Sequence, residues 1–221
     1  FQQMYNTVDT IIVGRFVSTR ALAAVGTTGP LVNMFSGFFT GLSSGATVIL
    51  AQFYGANDPK GVDRTLHTGF SLSLILGLLV TAVGCGLGPT ILTWMQTPEE
   101  CLEMAGTYLR IYFAGSLASM VYNMEAGILR AMGDSRTPVY SLAAACIVNI
   151  IMDIVLVVYG RMGVAGAALA TVLSQVISAG MLLVVLLRQR DFPLRFGELC
   201  LDGKLLKRIL LIGIPAGLQF V

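Results

Sequence analysis

Charge is what this sequence has least of. Only 12% of its 221 residues are Asp, Glu, Lys or Arg, about half the roughly 25% of an ordinary soluble domain. With 55% hydrophobic residues and a mean hydropathy of +0.79, that shortage excludes a soluble globular class and gives a polytopic membrane protein. The net charge is +2, too small to attract nucleic acid, which is excluded as a partner. Cysteine is sparse as well. Cys85, Cys101, Cys146 and Cys200 are far apart, with no C-x-x-C pair, so neither a zinc site nor a disulfide framework is implied. The single histidine, His67, falls near a membrane boundary and reads as a solvated or capping residue. An intramembrane aspartyl protease needs a Gly-x-Gly-Asp motif, and the one Gly-Asp pair, Gly133-Asp134, lies in a loop. The chain is therefore expected to be no enzyme, with no catalytic residues and no cofactor.

What the sequence has in abundance is long apolar runs. A hydrophobic stretch of about 20 residues is long enough to cross a bilayer as a helix. Residues 1–16 read as the second part of such a span, with Gln2, Tyr5, Asn6 and Asp9 at helical spacing along one stripe. Further spans are expected from about Pro30 to Tyr54, Thr68 to Trp94, Ala105 to Leu129, Val139 to Tyr159 and Gly163 to Leu187. Pro30 is taken as the first turn of its helix. Gly37, Gly41 and Gly45 repeat every four residues, which favours close helix packing. Arg110 and Glu125 are taken as boundary charges, Glu125 pairing with Arg130. Residues 1–187 thus form a six-helix lobe, 188–208 a basic linker along the membrane surface, and 209–221 the start of a seventh helix. The terminal runs Phe1-Gln2-Gln3 and Phe220-Val221 read as cut ends, and the chain as a fragment.

Lys and Arg set the sidedness. The second, fourth and sixth connections hold ten of them and the first, third and fifth hold three, so the even-numbered loops are expected to be cytoplasmic. The polar residues inside the spans then become informative. Asp153 stands in an apolar run with no basic residue from Val139 to Tyr159, and Asn149, four residues earlier, shares its helix face. A carboxylate at membrane depth is costly and usually faces a bundle interior on an ion or proton pathway; the alternative is packing glue between helices. At 1.5 Å per residue, Asp153 is roughly 9 Å, Asp9 roughly 10 Å and Thr171 roughly 12 Å below the outer ends of their helices. Polar groups on three helices reach one level, as a shared site requires.

These residues resemble the multidrug and toxic compound extrusion (MATE) family of cation-coupled efflux transporters. Tyr5-Asn-Thr-Val-Asp-Thr-Ile-Ile-Val-Gly-Arg15 is similar to the family's first helix and its exit. Leu129-Arg-Ala-Met-Gly-Asp-Ser-Arg-Thr-Pro138 is similar to the loop before its fifth helix. The resemblance implies an all-α polytopic membrane helix bundle, the six-helix amino-terminal lobe of a twelve-helix, two-lobe transporter. The second lobe would lie outside this chain. It implies a cation-coupling set on Asp9, Asn149, Asp153 and Thr171, with Tyr5 one turn before the first Asp, and Gln2 and Asn123 facing substrate. The coupling ion would be H⁺ or Na⁺, with Na⁺ held by Asp9, Asn149, Asp153 and Thr171.

The physical reading points the same way. Two carboxylates in a poorly hydrated site do not both ionise cheaply, so one takes up a proton unless a cation binds. Binding and loss of that charge would favour alternate helix packings and drive substrate outward as lobes rock. The expected protein is a multi-pass plasma (inner) membrane antiporter in the lipid bilayer, and the resemblance implies that it exports amphipathic, often cationic drugs and toxins. The alternative is a lipid-linked oligosaccharide flippase of the related superfamily. That function calls for basic residues lining the cavity, and Lys60, Arg64 and Arg136 all fall outside the spans.

Overall fold

The computed structural model describes the backbone of residues 2–219 and the side chains of residues 8–88 and 90–219. These residues are all-α, with no strand among them. The helices are α1 (Gln2–Phe16), α2 (Thr19–Gly55), α3 (Pro59–Trp94), α4 (Glu99–Ala114), α5 (Ser116–Ala131), α6 (Arg136–Asp153), α7 (Gly163–Leu187) and α8 (Gly203–Leu218). A π-helical turn, Ile154–Tyr159, follows α6 directly. Four stretches are long and apolar enough to cross a membrane: Thr19–Gly55, Pro59–Gly88, Arg136–Tyr159 and Gly163–Leu187. Large apolar side chains also point outward in stripes. On α3 these include Ile75, Leu79, Val83 and Leu87, ending at Trp94, which is 79% exposed. A hydrocarbon solvent accepts such a surface, and interfacial Trp anchors its edge.

Several helix limits differ from the sequence expectation, each for a local reason. Pro30 lies inside α2, which starts eleven residues earlier at Thr19. Ser18 caps that start, its Oγ accepting the Ala21 N–H at 3.1 Å, and Ala21-Leu22-Ala23-Ala24 are good helix formers. Pro30 has no N–H to offer the Gly26 carbonyl, a loss that membrane helices tolerate. In the turn before it, Thr27 and Thr28 donate their hydroxyls to the Ala24 and Val25 carbonyls. The fourth span starts earlier, at Glu99, and is divided at Gly115 into α4 and α5. Gly115 donates its N–H to both Ile111 and Tyr112 carbonyls, a tightened turn, and a Cβ there would strike the Val172 side chain. The acidic pair Glu99 and Glu100 occupies the first turn of α4, where the helix dipole favours negative charge. The cap of α6 is Asp134. Its Oδ1 accepts the N–H groups of Arg136 at 3.1 Å and Thr137 at 3.0 Å.

The chain folds into two compact units. The first comprises Phe1–Val32, Leu78–Leu117 and Leu142–Ser178. Its interior is built of small residues, with Ala21, Ala24, Ala105, Ala167, Ala168 and Ala170 almost fully buried around Val13, Leu92, Leu109 and Phe113. Small residues let backbones approach in the absence of a hydrophobic drive between helices. Thr81 and Ser116 join hydroxyls across α3 and α5 at 2.9 Å. Cys101 is buried in this unit and donates its S–H to the Arg20 carbonyl at 3.6 Å.

The second unit comprises Asn33–Gly77, Ala118–Ser141 and Ala179–Val221. Phe39, Leu42, Ile49, Leu66, Phe70, Met120, Met124 and Ile128 fill its core. The glycine repeat in α2 is a packing seam, since a Cβ on Gly41 or Gly45 would meet the α8 backbone at Gly217 or Ile209. α8 begins at Gly203 with Asp202 as its N-cap, accepting the Lys204 N–H at 2.9 Å, so the end of the basic linker is already helical. The rest of the linker docks on protein. Phe192 packs edge-on to Tyr54, Phe196 on Phe70, and Leu194 is buried.

Candidate functional site

Asp9 on α1, Asn149 and Asp153 on α6 and Thr171 on α7 all belong to the first unit. Their local order follows from the sequence. The Asn-x-x-x-Asp spacing puts two polar groups on one face of α6, and α6 keeps α-helical pitch to Asp153 before widening into the π turn. Such turns within α-helices gather at functional sites. α1 packs against this turn, and the Gly163–Arg161 corner, with both residues at positive φ, sends the chain back into α7.

The four side chains are almost completely shielded. Asn149 and Asp153 are 0% exposed, and Asp9 and Thr171 are each 4% exposed. The Thr171 hydroxyl donates to Asp9 Oδ2 at 3.0 Å and also lies 3.1 Å from the Ala167 carbonyl. Asp9 is close enough to both Asp153 and Asn149 for direct electrostatic interaction. Neither approach meets hydrogen-bond geometry. Asp9 Oδ1, both Asp153 oxygens and both polar atoms of the Asn149 amide are buried without a partner.

That arrangement is expensive. A buried polar atom left unpaired costs about 1–3 kcal/mol, and more when charged. Five such atoms sit on three neighbouring side chains. The donor set is carboxylate, amide and hydroxyl oxygen, the chemistry of a shared proton or a hard cation. No Lys or Arg among the described ion pairs reaches these carboxylates.

The remaining sequence candidates fare differently. The side chains of Gln2 and Tyr5 lie outside the described residues. Asn123 belongs to the second unit, where its Oδ1 accepts the Thr40 hydroxyl at 3.3 Å and its Nδ2 donates to the Ser119 carbonyl at 2.8 Å. Glu125 is not a boundary charge paired with Arg130. It is 0% exposed, both oxygens lack partners, and Arg130 is exposed. The local pattern hid this, because a carboxylate one turn from a helix-end arginine reads as solvated. His67 is likewise neither solvated nor a cap. It is 1% exposed and bonds Arg195 of the linker, a partner 128 residues away that no local signal could supply.

The MatE family model matches residues 1–155. The chain is 31% identical over its whole length to the probable multidrug resistance protein YoeA of Bacillus subtilis, covering 49% of that protein. It is 32% identical to YpnP of the same organism, again over its whole length and 49% of the relative. Among solved structures, the inward-facing conformation of a multidrug resistance MATE family transporter of the MOP superfamily matches with a TM-score of 0.93. The identity is 29%, over all of this chain and 50% of that one. The chain thus spans about half the length of the relatives it matches. Matching family model, fold and relatives agree on one conclusion: this multi-pass membrane chain belongs to the MATE family of transporters and not to an enzyme family.

Proposed function

We propose that this chain forms one lobe, the amino-terminal one, of a two-lobe antiporter in the plasma membrane. The protein would use H⁺ or Na⁺ entry to export amphipathic, often cationic compounds. The observation that carries the reading is the buried quartet itself: Thr171 bonded to Asp9, with five polar atoms of Asp9, Asn149 and Asp153 unpartnered beside it. A proton or Na⁺ arriving there would satisfy those atoms and cancel the repulsion between two carboxylates. Its departure would restore both penalties. The two states favour different helix packings, so a cation gradient can bias which one is populated. The π turn after Asp153 gives α6 a place to change pitch without breaking its backbone ladder.

Residues 1–187 would make the six-helix lobe, with the linker and α8 leading to its partner lobe and the even-numbered loops in the cytoplasm. Gln2, Tyr5 and Asn123 are retained as candidates, Tyr5 beside the cation set and the other two toward substrate.

The decisive experiment reconstitutes the full-length protein in liposomes and imposes an inward H⁺ or Na⁺ gradient separately. Export of a fluorescent cationic dye driven by one gradient, abolished by Asp153→Asn at matched protein levels, is the expected result. Undiminished gradient-driven export by that variant would return the quartet to a structural role. Residues 1–221 alone should export nothing.

A further inference from the structure

His67 is the single histidine of the chain and nothing in the proposed transport cycle uses it. It sits two turns into α3 in the second unit, 1% exposed, with both ring nitrogens engaged by backbone. Nδ1 is 2.8 Å from the Asp63 carbonyl, and Nε2 lies 3.1 Å from the Arg195 N–H. A carbonyl only accepts and an N–H only donates. One protonation state alone satisfies both contacts: the neutral ring with its proton on Nδ1.

The Arg195 contact fastens the linker at its centre. On either side lie the Phe192–Tyr54 and Phe196–Phe70 ring contacts, and farther on the Asp202 N–H donates to Thr68 Oγ1 at 3.3 Å. The charged groups facing the ring are Asp63 from its own helix and Arg195 and Glu198 from the linker. Asp63 Oδ1 is 3.6 Å from Nδ1. Asp63, His67 and Glu198 bring one ligand atom each within 4.8 Å of one another, while Arg195 Nη1 holds Glu198 Oε1 at 2.8 Å. A metal ion would suit that trio by composition, but it would have to displace one of the backbone partners from the ring.

We propose that His67 is a pH-operated latch on the linker. With the ring neutral, Nε2 accepts the Arg195 N–H and holds the main chain down. When a solvent proton reaches Nε2, an acceptor becomes a donor facing another donor, and the contact turns repulsive. The charged ring then has two carboxylates beside it, since one oxygen of Asp63 and one of Glu198 lie within 4.8 Å of a ring nitrogen and of each other. Protonation therefore exchanges a main-chain anchor for ion pairs and frees the linker backbone around residue 195. Histidine is the side chain suited to this, since its ordinary charge change falls between pH 5 and 8. The latch is independent of how transport is coupled, because it concerns the second unit and not the Asp9–Asp153 quartet.

Amide hydrogen exchange of the 192–198 segment in the detergent-purified full-length protein tests it, after correction for the intrinsic effect of pH. Protection of the Arg195 amide should fall about tenfold between pH 8 and pH 5, the scale of one hydrogen bond. His67→Gln offers a carbonyl acceptor that does not titrate, so its protection should be flat with pH. A flat wild type, or an equal fall in the variant, overturns the latch. Should the variant misfold, ¹⁵N-histidine spectra of the wild type decide. They should show the Nδ1–H tautomer at pH 8 and a doubly protonated ring at pH 5, and a ring still neutral at pH 5 overturns the proposal. A zinc-dependent gain in protection at pH 8 would reassign the trio as a metal site and overturn it equally.

Discussion

Thr171 donates its hydroxyl to Asp9 Oδ2 at 3.0 Å, joining α7 to α1 across 162 positions of sequence. Among the described residues this is the one side-chain bond made to the Asp9 carboxylate. The other oxygen, and every polar side-chain atom of Asn149 and Asp153, is left unpartnered. The quartet is thus anchored at one corner and unpaired at the rest, the arrangement on which the proposed coupling role rests.

Thr171→Val keeps the shape of the side chain and removes that bond. Hydrogen bonds between membrane helices average about 0.6 kcal/mol, so thermal unfolding in detergent should show a loss of that order. Gradient-driven export should fall several-fold without vanishing, because water or the ion itself can replace one neutral oxygen. Complete loss of export with unchanged stability would show Thr171 to be indispensable to coupling and contradict this expectation.

Asp9→Asn and Asp153→Asn should each abolish gradient-driven export while leaving membrane insertion normal. If the two carboxyls act as one switch, the double variant should be scarcely worse than either single one. Export rates of all three at equal protein levels provide the comparison. Additive losses would mean two separate sites.

Sidedness is open to thiol labelling, provided the right residues are used. Cys101 is buried, but Cys200 and Glu99 are exposed. In intact cells expressing the full-length protein with its other cysteines replaced, Glu99→Cys should react with a membrane-impermeant maleimide and Cys200 should not. The reverse pattern would invert the orientation derived from the basic loops.

Asp134 should lend α6 a pH-dependent stability. Burial pushes its carboxyl upward, but hydrogen bonds from the Thr137 side chain and backbone and the Arg136 backbone, with the Arg136 charge, outweigh this and hold it below the ordinary carboxylate range. Its contribution is therefore present above about pH 4, the unfolded carboxyl range, and disappears as pH falls through the lowered folded value. Asp134→Ala should cost about 1 kcal/mol at neutral pH. Unfolding curves of variant and wild type should converge in strong acid.

Glu125 presents the opposite case, a carboxyl 0% exposed with neither oxygen paired. Removing an unsatisfied buried polar group is neutral or stabilising when the volume is kept. Glu125→Met should therefore hold or raise the midpoint of thermal unfolding in detergent. A drop equivalent to more than about 1 kcal/mol would reveal a partner for the carboxyl.

Much of the fold could be read from residues alone. The apolar runs, the Gly41/Gly45 seam and the same-face pair Asn149 and Asp153 follow from composition and a period of 3.6. The limits of α2 and α4 did not: Pro30 reads as a first turn, whereas Ser18, twelve residues earlier, caps the actual start of α2. Glu125 and His67 were misread for a related cause. Each stands within about a turn and a half of a charged helix-end residue, Arg130 or Arg64, which reads as a boundary, while their burial is created by tertiary packing.

The sequence by itself determined the class of solvent this chain folds in, the four long apolar stretches able to cross it and the face of α6 on which two polar groups stand. These are properties of a few consecutive residues and their pitch. Which helices meet was decided only by tertiary structure. Thr171 reaches Asp9, and Arg195 reaches His67, because packing fixes the rotation and rise of each helix against its neighbours, and local periodicity leaves both free.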